Sequence, residues 1–389
     1  MDMRSDEFGD TCPDRLATPL FFGSEIYRGS SYGPRHPLRV PRVSTVMDLA
    51  RALGWLPATQ YRTSPRAKPA ALTLWHTPDY LAALQEAEAR QHVCEAARDR
   101  HAIGTLSNPV FPEMYRRPAT AAGAALLAGE LLARGGIVHH PAGGTHHAFP
   151  DRAGGFCYLN DPVLAILSLR RAGARRIAYV DIDAHHCDGV EHAFAGDAET
   201  LLISVHEDRR WPFTGALSDD GGGNCFNLPL PRDFNDSEMA LVRDRLILPA
   251  LHGFRPDAIV VQCGADAVEE DPLSRLSLSN NAHWNAVAAI KALGCPRLLV
   301  MGGGGYNPWS VGRLWTGVWA VLNSHEIPER LPPEAEMVLR GLTWDKARRG
   351  KTPPDHWFTT LRDTPRLGPV RAELRRRVGT LTARMESWV

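Results

Sequence analysis

A chain of 389 residues exceeds one small domain; at roughly 150 residues per domain it has room for two or three, or for one large α/β domain. Lysine plus arginine number 44 and aspartate plus glutamate 44, so the formal charge is zero, which argues against broad adhesion to nucleic acid or an anionic membrane. Apolar residues make up 44% and charged residues 23%, a globular balance that excludes global disorder. In chain order, helical patterns come first, at Val43–Leu53 and Pro78–Ala97, with loops rich in Pro, Gly and Arg before and between. A further helix is expected at Pro118–Ala133. Apolar runs rich in Val and Ile come next, at Ile137–His140, Arg176–Asp183, Leu201–His206, Ala258–Gly264 and Arg297–Met301. Continuous runs of this kind suit strands buried on both faces. Helices are expected between them at Pro162–Ala172, Asp236–Leu251 and Asn281–Leu293. Strand alternating with helix predicts an α/β fold: an open, mostly parallel sheet with helices on both faces, in a single large domain over residues 1–345. Beyond Leu342 the chain turns polar. Lys351–Asp355 reads as a turn, and Val370–Met385 as a solvated basic helix carrying Arg371, Arg375, Arg376, Arg377 and Arg384. Residues 346–389 are therefore expected to form a C-terminal extension.

The 7 cysteines are scattered, odd in number and lack a C-x-x-C pair, which is the usage of a reduced cytoplasmic enzyme. The longest apolar run outside the strands, Ala121–Ala133, is interrupted by Glu130 and too short to span a bilayer. The N-terminus carries acids and no apolar segment, so no secretory leader is expected.

Open parallel sheets bind ligands beyond the carboxyl ends of their strands, which directs attention to the residues just after each apolar run. After Ile177 comes Asp181-Ile-Asp183-Ala-His185-His-Cys-Asp188-Gly189. Residues 181, 183 and 185 alternate by two, so an extended chain points all three to one side. Two carboxylates and an imidazole at a buried strand end are costly unless something pairs with them, and a divalent cation is the simplest partner. Asp188 alone would serve as a helix cap, but that leaves the rest of the string unexplained. Asp266 occupies the equivalent strand end after Gly264 and supplies a third ligand; by itself it would read as a turn residue. Upstream, Gly143-Gly-Thr-His146-His147 suits two imidazoles fixed beside one reacting centre, with Asp181 and Asp188 available to orient them. Gly302–Gly305 lacks the spacing of a phosphate loop, so its use is to present Tyr306 as a hydroxyl donor.

Together these strings resemble the zinc-dependent histone deacetylase family, with its arginase/deacetylase fold, and bacterial acetoin-utilization-type deacetylases in particular. The likeness runs from Tyr32-Gly-Pro-Arg-His-Pro-Leu38 to Trp344 and is most specific at Gly144–His147, Gly155–Tyr158, Asp181–Gly189, Gly264–Asp266 and Gly302–Tyr306. It implies that Asp183, His185 and Asp266 hold Zn2+, a set that also accepts Fe2+. It implies that His146 pairs with Asp181 and His147 with Asp188, that Tyr306 serves the oxyanion, and that Gly155, Phe156 and Trp211 belong to a tube for an acyl-lysine side chain. It further implies structural K+ or Na+, first at Asp181, Asp183, Ser204 and the His185 carbonyl, then at carbonyls near Phe194, Asp197 and Thr200. Arg42 would match a basic residue behind the catalytic chamber.

The chain departs from the family pattern at Cys187, where glycine is common, in the loop Trp211–Gly215, and at Leu106-Ser107-Asn108, where a rim carboxylate is absent. The implied activity is hydrolysis of N-acetyl-lysine, or another short acyl-lysine, on protein. The alternatives are an acetylpolyamine or other small-molecule amide as substrate, and a metal-bearing binding module without strong catalysis. The expected partners are an acylated protein or small acylated amine and a second copy in a homo-oligomer, with neither nucleic acid nor membrane.

Overall fold

The computed structural model describes residues 15–344 and 353–388. Its centre is one eight-stranded sheet in the order β2-β1-β3-β8-β7-β4-β5-β6. The strands are β1 (Leu20–Gly23), β2 (Tyr61–Thr63), β3 (Gly136–His140), β4 (Ile177–Asp181), β5 (Thr200–Glu207), β6 (Cys225–Leu230), β7 (Ala258–Gln262) and β8 (Arg297–Met301). Every pairing is parallel, as the continuous apolar runs predict. Side chains alternate between two cores: in β4, Ala178 and Val180 enter one while Ile177 and Tyr179 enter the other, and β7 and β8 divide in the same way. Helices therefore cover both faces.

β1, β2 and β6 are not evident in the sequence. The first two are only 4 and 3 residues long. β6 contains Pro229, which a sheet tolerates because this strand lies at the edge. The pattern over Pro78–Ala97 is broken where Gln91 turns left-handed (φ 50°), giving helices Pro78–Arg90 and Glu95–His101. Asp236–Val242 passes through a π-helical turn, Arg243–Ile247, into Leu248–Phe254. The helix Pro308–Asn323 escapes a sequence reading because it is buried almost all round and has no polar stripe to reveal a period. Its Trp315 and Trp319 are among the largest fully buried side chains.

The boundary expected at residue 345 lies outside the described residues, as does the start of the Lys351–Asp355 turn. The C-terminal helix, Ala372–Trp388, is not the solvated helix expected. Leu374, Val378, Leu381 and Met385 form a stripe buried in the main core, a spacing that the many arginines obscure. Arg371 donates from Nε to Glu238 at 2.7 Å, Arg377 meets Asp208 at 3.0 Å, and Arg384 lies over the Phe226 ring. Ahead of it, Asp363 pairs at 2.5 Å with Arg313, both buried, and Trp357 and Leu361 enter the same core.

The interior also holds several uncharged histidines. Burial lowers His76 and His139 to about 4, and His140 and His206 to about 3. In the unfolded chain each would titrate near its ordinary value of about 6.5. Between these values the unfolded state binds more protons, so stability is fully present above about pH 6.5 and falls as the pH drops toward 4, by about 1.4 kcal/mol per pH unit for each group. Thermal melts between pH 6.5 and 5 should show Tm falling progressively; an unchanged Tm across that range would contradict the neutral assignment.

Candidate active site

β3, β8, β7 and β4 lie side by side, and their carboxyl ends bring together residues far apart in sequence. Asp181 ends β4, with Asp183 and His185 just beyond it; Asp266 sits in the 3-10 turn after β7; Tyr306 comes after β8; and His146 and His147 come after β3.

Asp183, His185 and Asp266 each offer a ligand atom within 4.8 Å of the others. His185 Nδ1 lies 2.9 Å from Asp266 Oδ2 and 3.2 Å from Asp183 Oδ1. Backbone N–H groups orient the carboxylates: Gly304 donates to Asp183 Oδ2 at 2.6 Å, and Ala184 to Asp266 Oδ1 at 3.0 Å. Burial raises the Asp266 carboxyl, and the neighbouring Asp183 charge pushes the same way. Burial would lower His185, yet Asp266 and Asp183 outweigh it and lift the imidazole to about 10. Two buried carboxylates around one imidazole thus demand positive charge at this spot. The donor set, one nitrogen and two carboxylates with a fourth position open, fits a divalent catalytic metal. The glycine loop is part of the fit, because a Cβ on Gly304 would come within 1.9 Å of Asp266 Oδ2.

Two imidazole–carboxylate pairs stand beside this group. His146 Nδ1 lies 2.7 Å from Asp181 Oδ2, and His147 Nδ1 lies 2.7 Å from Asp188 Oδ1. In each, Nδ1–H donates to the acid, which fixes the orientation of the ring and of its Nε2. Burial opposes charge on both rings, but Asp181 and Asp183 together raise His146 to about 9, whereas burial and the His146 charge lower His147 to about 4. Tyr179, not anticipated from sequence, places its hydroxyl 2.7 Å from Asp181 Oδ2. Cys187, with φ −81°, needs no left-handed backbone and packs into the core, so the helix Asp188–Phe194 starts undisturbed by the missing glycine.

Above lies a narrow channel. The Trp211 ring sits 4.6 Å from His147, and Phe156 meets Tyr306 edge-on at 5.7 Å. Gly155 allows this closure, since a Cβ there would lie 2.3 Å from the Trp211 ring. Gly155 and Phe156 are both left-handed (φ 48° and 71°), a strained state for phenylalanine. It is held in place by Asn108 Oδ1, which accepts from Phe156 N at 3.0 Å, and by the Tyr32 hydroxyl, which donates to Phe156 O. Asn108 is 3% exposed, so the sequence reading that placed it on the rim is corrected: of the triplet, Ser107 lines the mouth and Leu106 points to solvent. Leu273 and Arg210 also line the mouth, and no motif marks them. Asp271, likewise unmarked, accepts from Tyr306 N at 2.6 Å and from Leu273 N at 2.9 Å, fixing both.

Behind Tyr306 and His146 is a second cavity that includes Tyr27, Tyr32, Arg42 and Arg117. Arg42 donates to Gly303 O at 2.8 Å and stacks on Trp315. For the first monovalent set, Asp181 and Ser204 are register partners on β4 and β5. The second set does not fit an ion, because the Asn224 side chain already occupies it. Among the described residues, no helix is long and apolar enough to cross a membrane.

Comparison with known proteins agrees with this arrangement. The histone deacetylase domain family matches residues 36–322. Histone deacetylase 9 of Arabidopsis thaliana is 34% identical over 322 residues, 80% of this chain and 74% of the relative. The acetoin utilization protein AcuC of Bacillus subtilis is 31% identical over 328 residues, 81% of this chain and 84% of the relative. A crystal structure of an HDAC homologue complexed with SAHA superposes with a TM-score of 0.89 at 34% identity, covering 94% of this chain and 100% of that one. With a match across most of its length and the strand-end residues gathered as described, the chain belongs to the histone deacetylase family, hydrolases of linear amides.

Proposed function

We propose that the protein is a zinc-dependent deacylase that hydrolyses the amide of N-acetyl-lysine, or of another short acyl-lysine, on protein substrates. The observation that supports this most is the meeting of a three-ligand group, two imidazole–carboxylate pairs and a tyrosine at the foot of one apolar channel. Asp183, His185 and Asp266 would hold Zn2+, and Fe2+ suits the same donors. When bound, the metal polarises the acyl carbonyl and lowers the pKa of water toward neutrality. Gly155, Phe156 and Trp211 take the unbranched aliphatic part of the lysine and exclude water around it. His147, neutral at physiological pH, accepts the proton of the attacking water at Nε2 and returns it to the leaving amine. Asp188 holds that ring and stabilises its charge as it forms. His146, kept charged by Asp181, adds positive potential beside the developing oxyanion, to which the Tyr306 hydroxyl donates. A structural K+ or Na+ at Asp181, Asp183, Ser204 and the His185 carbonyl would brace the β4 end.

Among the described residues that line the mouth, Ser107, Leu273 and Arg210 included, there is no carboxylate to attract a polyamine cation. Metal-reconstituted enzyme tested on acetyl-lysine peptides, longer acyl-lysines and acetylpolyamines should therefore prefer the peptides and discriminate only modestly among flanking sequences. Turnover confined to acetylpolyamines would replace the lysine reading. Full metal occupancy with turnover of none of them would leave the binding module instead.

A further inference from the structure

We propose that Asn224 is a built-in substitute for a monovalent cation in the loop between the helix Asp188–Phe194 and β5. Its Nδ2 lies 2.9 Å from Phe194 O, 3.1 Å from Asp197 O and 2.8 Å from Thr200 O. An amide nitrogen carries two protons, so three carbonyl oxygens are one acceptor more than it can serve. Convergence of backbone carbonyls on one buried point is the coordination that a hard cation takes, and the amide imitates it with partial charge alone.

The orientation is fixed independently. Gly196 N donates to Asn224 Oδ1 at 3.0 Å, and a flipped amide would set its oxygen against all three carbonyls. The residue is 2% exposed, and its own carbonyl accepts from Leu202 N at 3.0 Å, where β6 begins beside β5. The backbone that carries the side chain is therefore fixed by that edge pairing. Of the two carboxylates in the loop, Asp197 is engaged by Arg170 and by the Thr200 hydroxyl, and Glu199 is exposed to solvent, so neither supplies its charge to the cradle. A neutral tether thus holds the loop leading into β5, and the loop needs no ion to keep its shape.

Wild-type crystals soaked in rubidium chloride should show no anomalous peak among the three carbonyls, while crystals of Asn224→Ala should show one there. In melts at matched ionic strength, exchanging tetramethylammonium for K+ should raise the Tm of Asn224→Ala by about 3 °C or more beyond any rise in the wild type. A rubidium peak in the wild-type cradle, with the amide displaced, overturns the proposal. So does an Asn224→Ala chain that folds, takes up no ion and gains no extra K+-dependent stability. If that variant does not fold, Asn224→Ser serves in its place, and the wild-type crystal remains decisive in either case.

Discussion

Asp183→Ala, His185→Ala and Asp266→Ala should each lose bound divalent metal and turnover together, with activity falling about 10³-fold or more. That factor corresponds to the several kcal/mol by which a polarising metal stabilises the transition state. Each change removes one of three ligand atoms grouped within 4.8 Å, and the remaining two cannot close a tetrahedral site. His147→Ala is the contrast. It leaves the three ligands intact, so metal content should stay near one equivalent while the rate falls by about 10²-fold or more, as for loss of a general base. Elemental analysis of the purified variants separates the two classes. A full equivalent of metal in all three ligand variants would remove the metal assignment, whatever happened to the rate.

The second large effect is expected at Tyr306. Tyr306→Phe deletes one oxygen and keeps the ring that packs edge-on against Phe156. Asp271 holds the backbone N–H of this residue, not its hydroxyl, so the loop should keep its place. The loss should fall on kcat, by about 10²–10³-fold, because the oxyanion charge exists mainly in the transition state. KM should move far less, and the variant should still bind acyl-lysine ligands. A kcat within about threefold of wild type would show that the ring only packs beneath the glycine loop, and would reopen the binding-module reading.

The parts of this molecule legible in its sequence share a physical cause. β4, β7 and β8 are buried on both faces and so read as unbroken apolar runs. Their polar ends stand out against that background, which is how Asp181, Asp183, His185, Asp266 and Tyr306 can be picked out one by one. Asn108 gives no such signal. Its value lies in a bond to Phe156, 48 residues away, and nothing in its neighbourhood distinguishes it from a surface asparagine. Leu273 and Arg210 acquire a role only because two loops meet at the mouth. The C-terminal helix shows the opposite failure: its arginines suggest a solvated surface, but long charged side chains can flank a buried stripe and reach partners on neighbouring elements, as Arg377 and Arg384 do, and as Arg371 does just before the helix.

The spacing of the strand ends along the chain has a consequence for how the protein comes to be made. The sheet neighbours β4 and β7 are separated by β5, β6 and the helices after them, so Asp183 and Asp266 meet only after a loop of about eighty residues has closed. Tyr306 and the histidines require β8 to insert between β7 and β3 as well. During synthesis, therefore, no emerging fragment shorter than the sequence through β8 can assemble the full constellation. High contact order of this kind makes assembly slow and late. Because Asp183 and Asp266 share a site only once β7 has docked beside β4, uptake of a metal ion would report that long-range closure, whereas helix content would appear earlier.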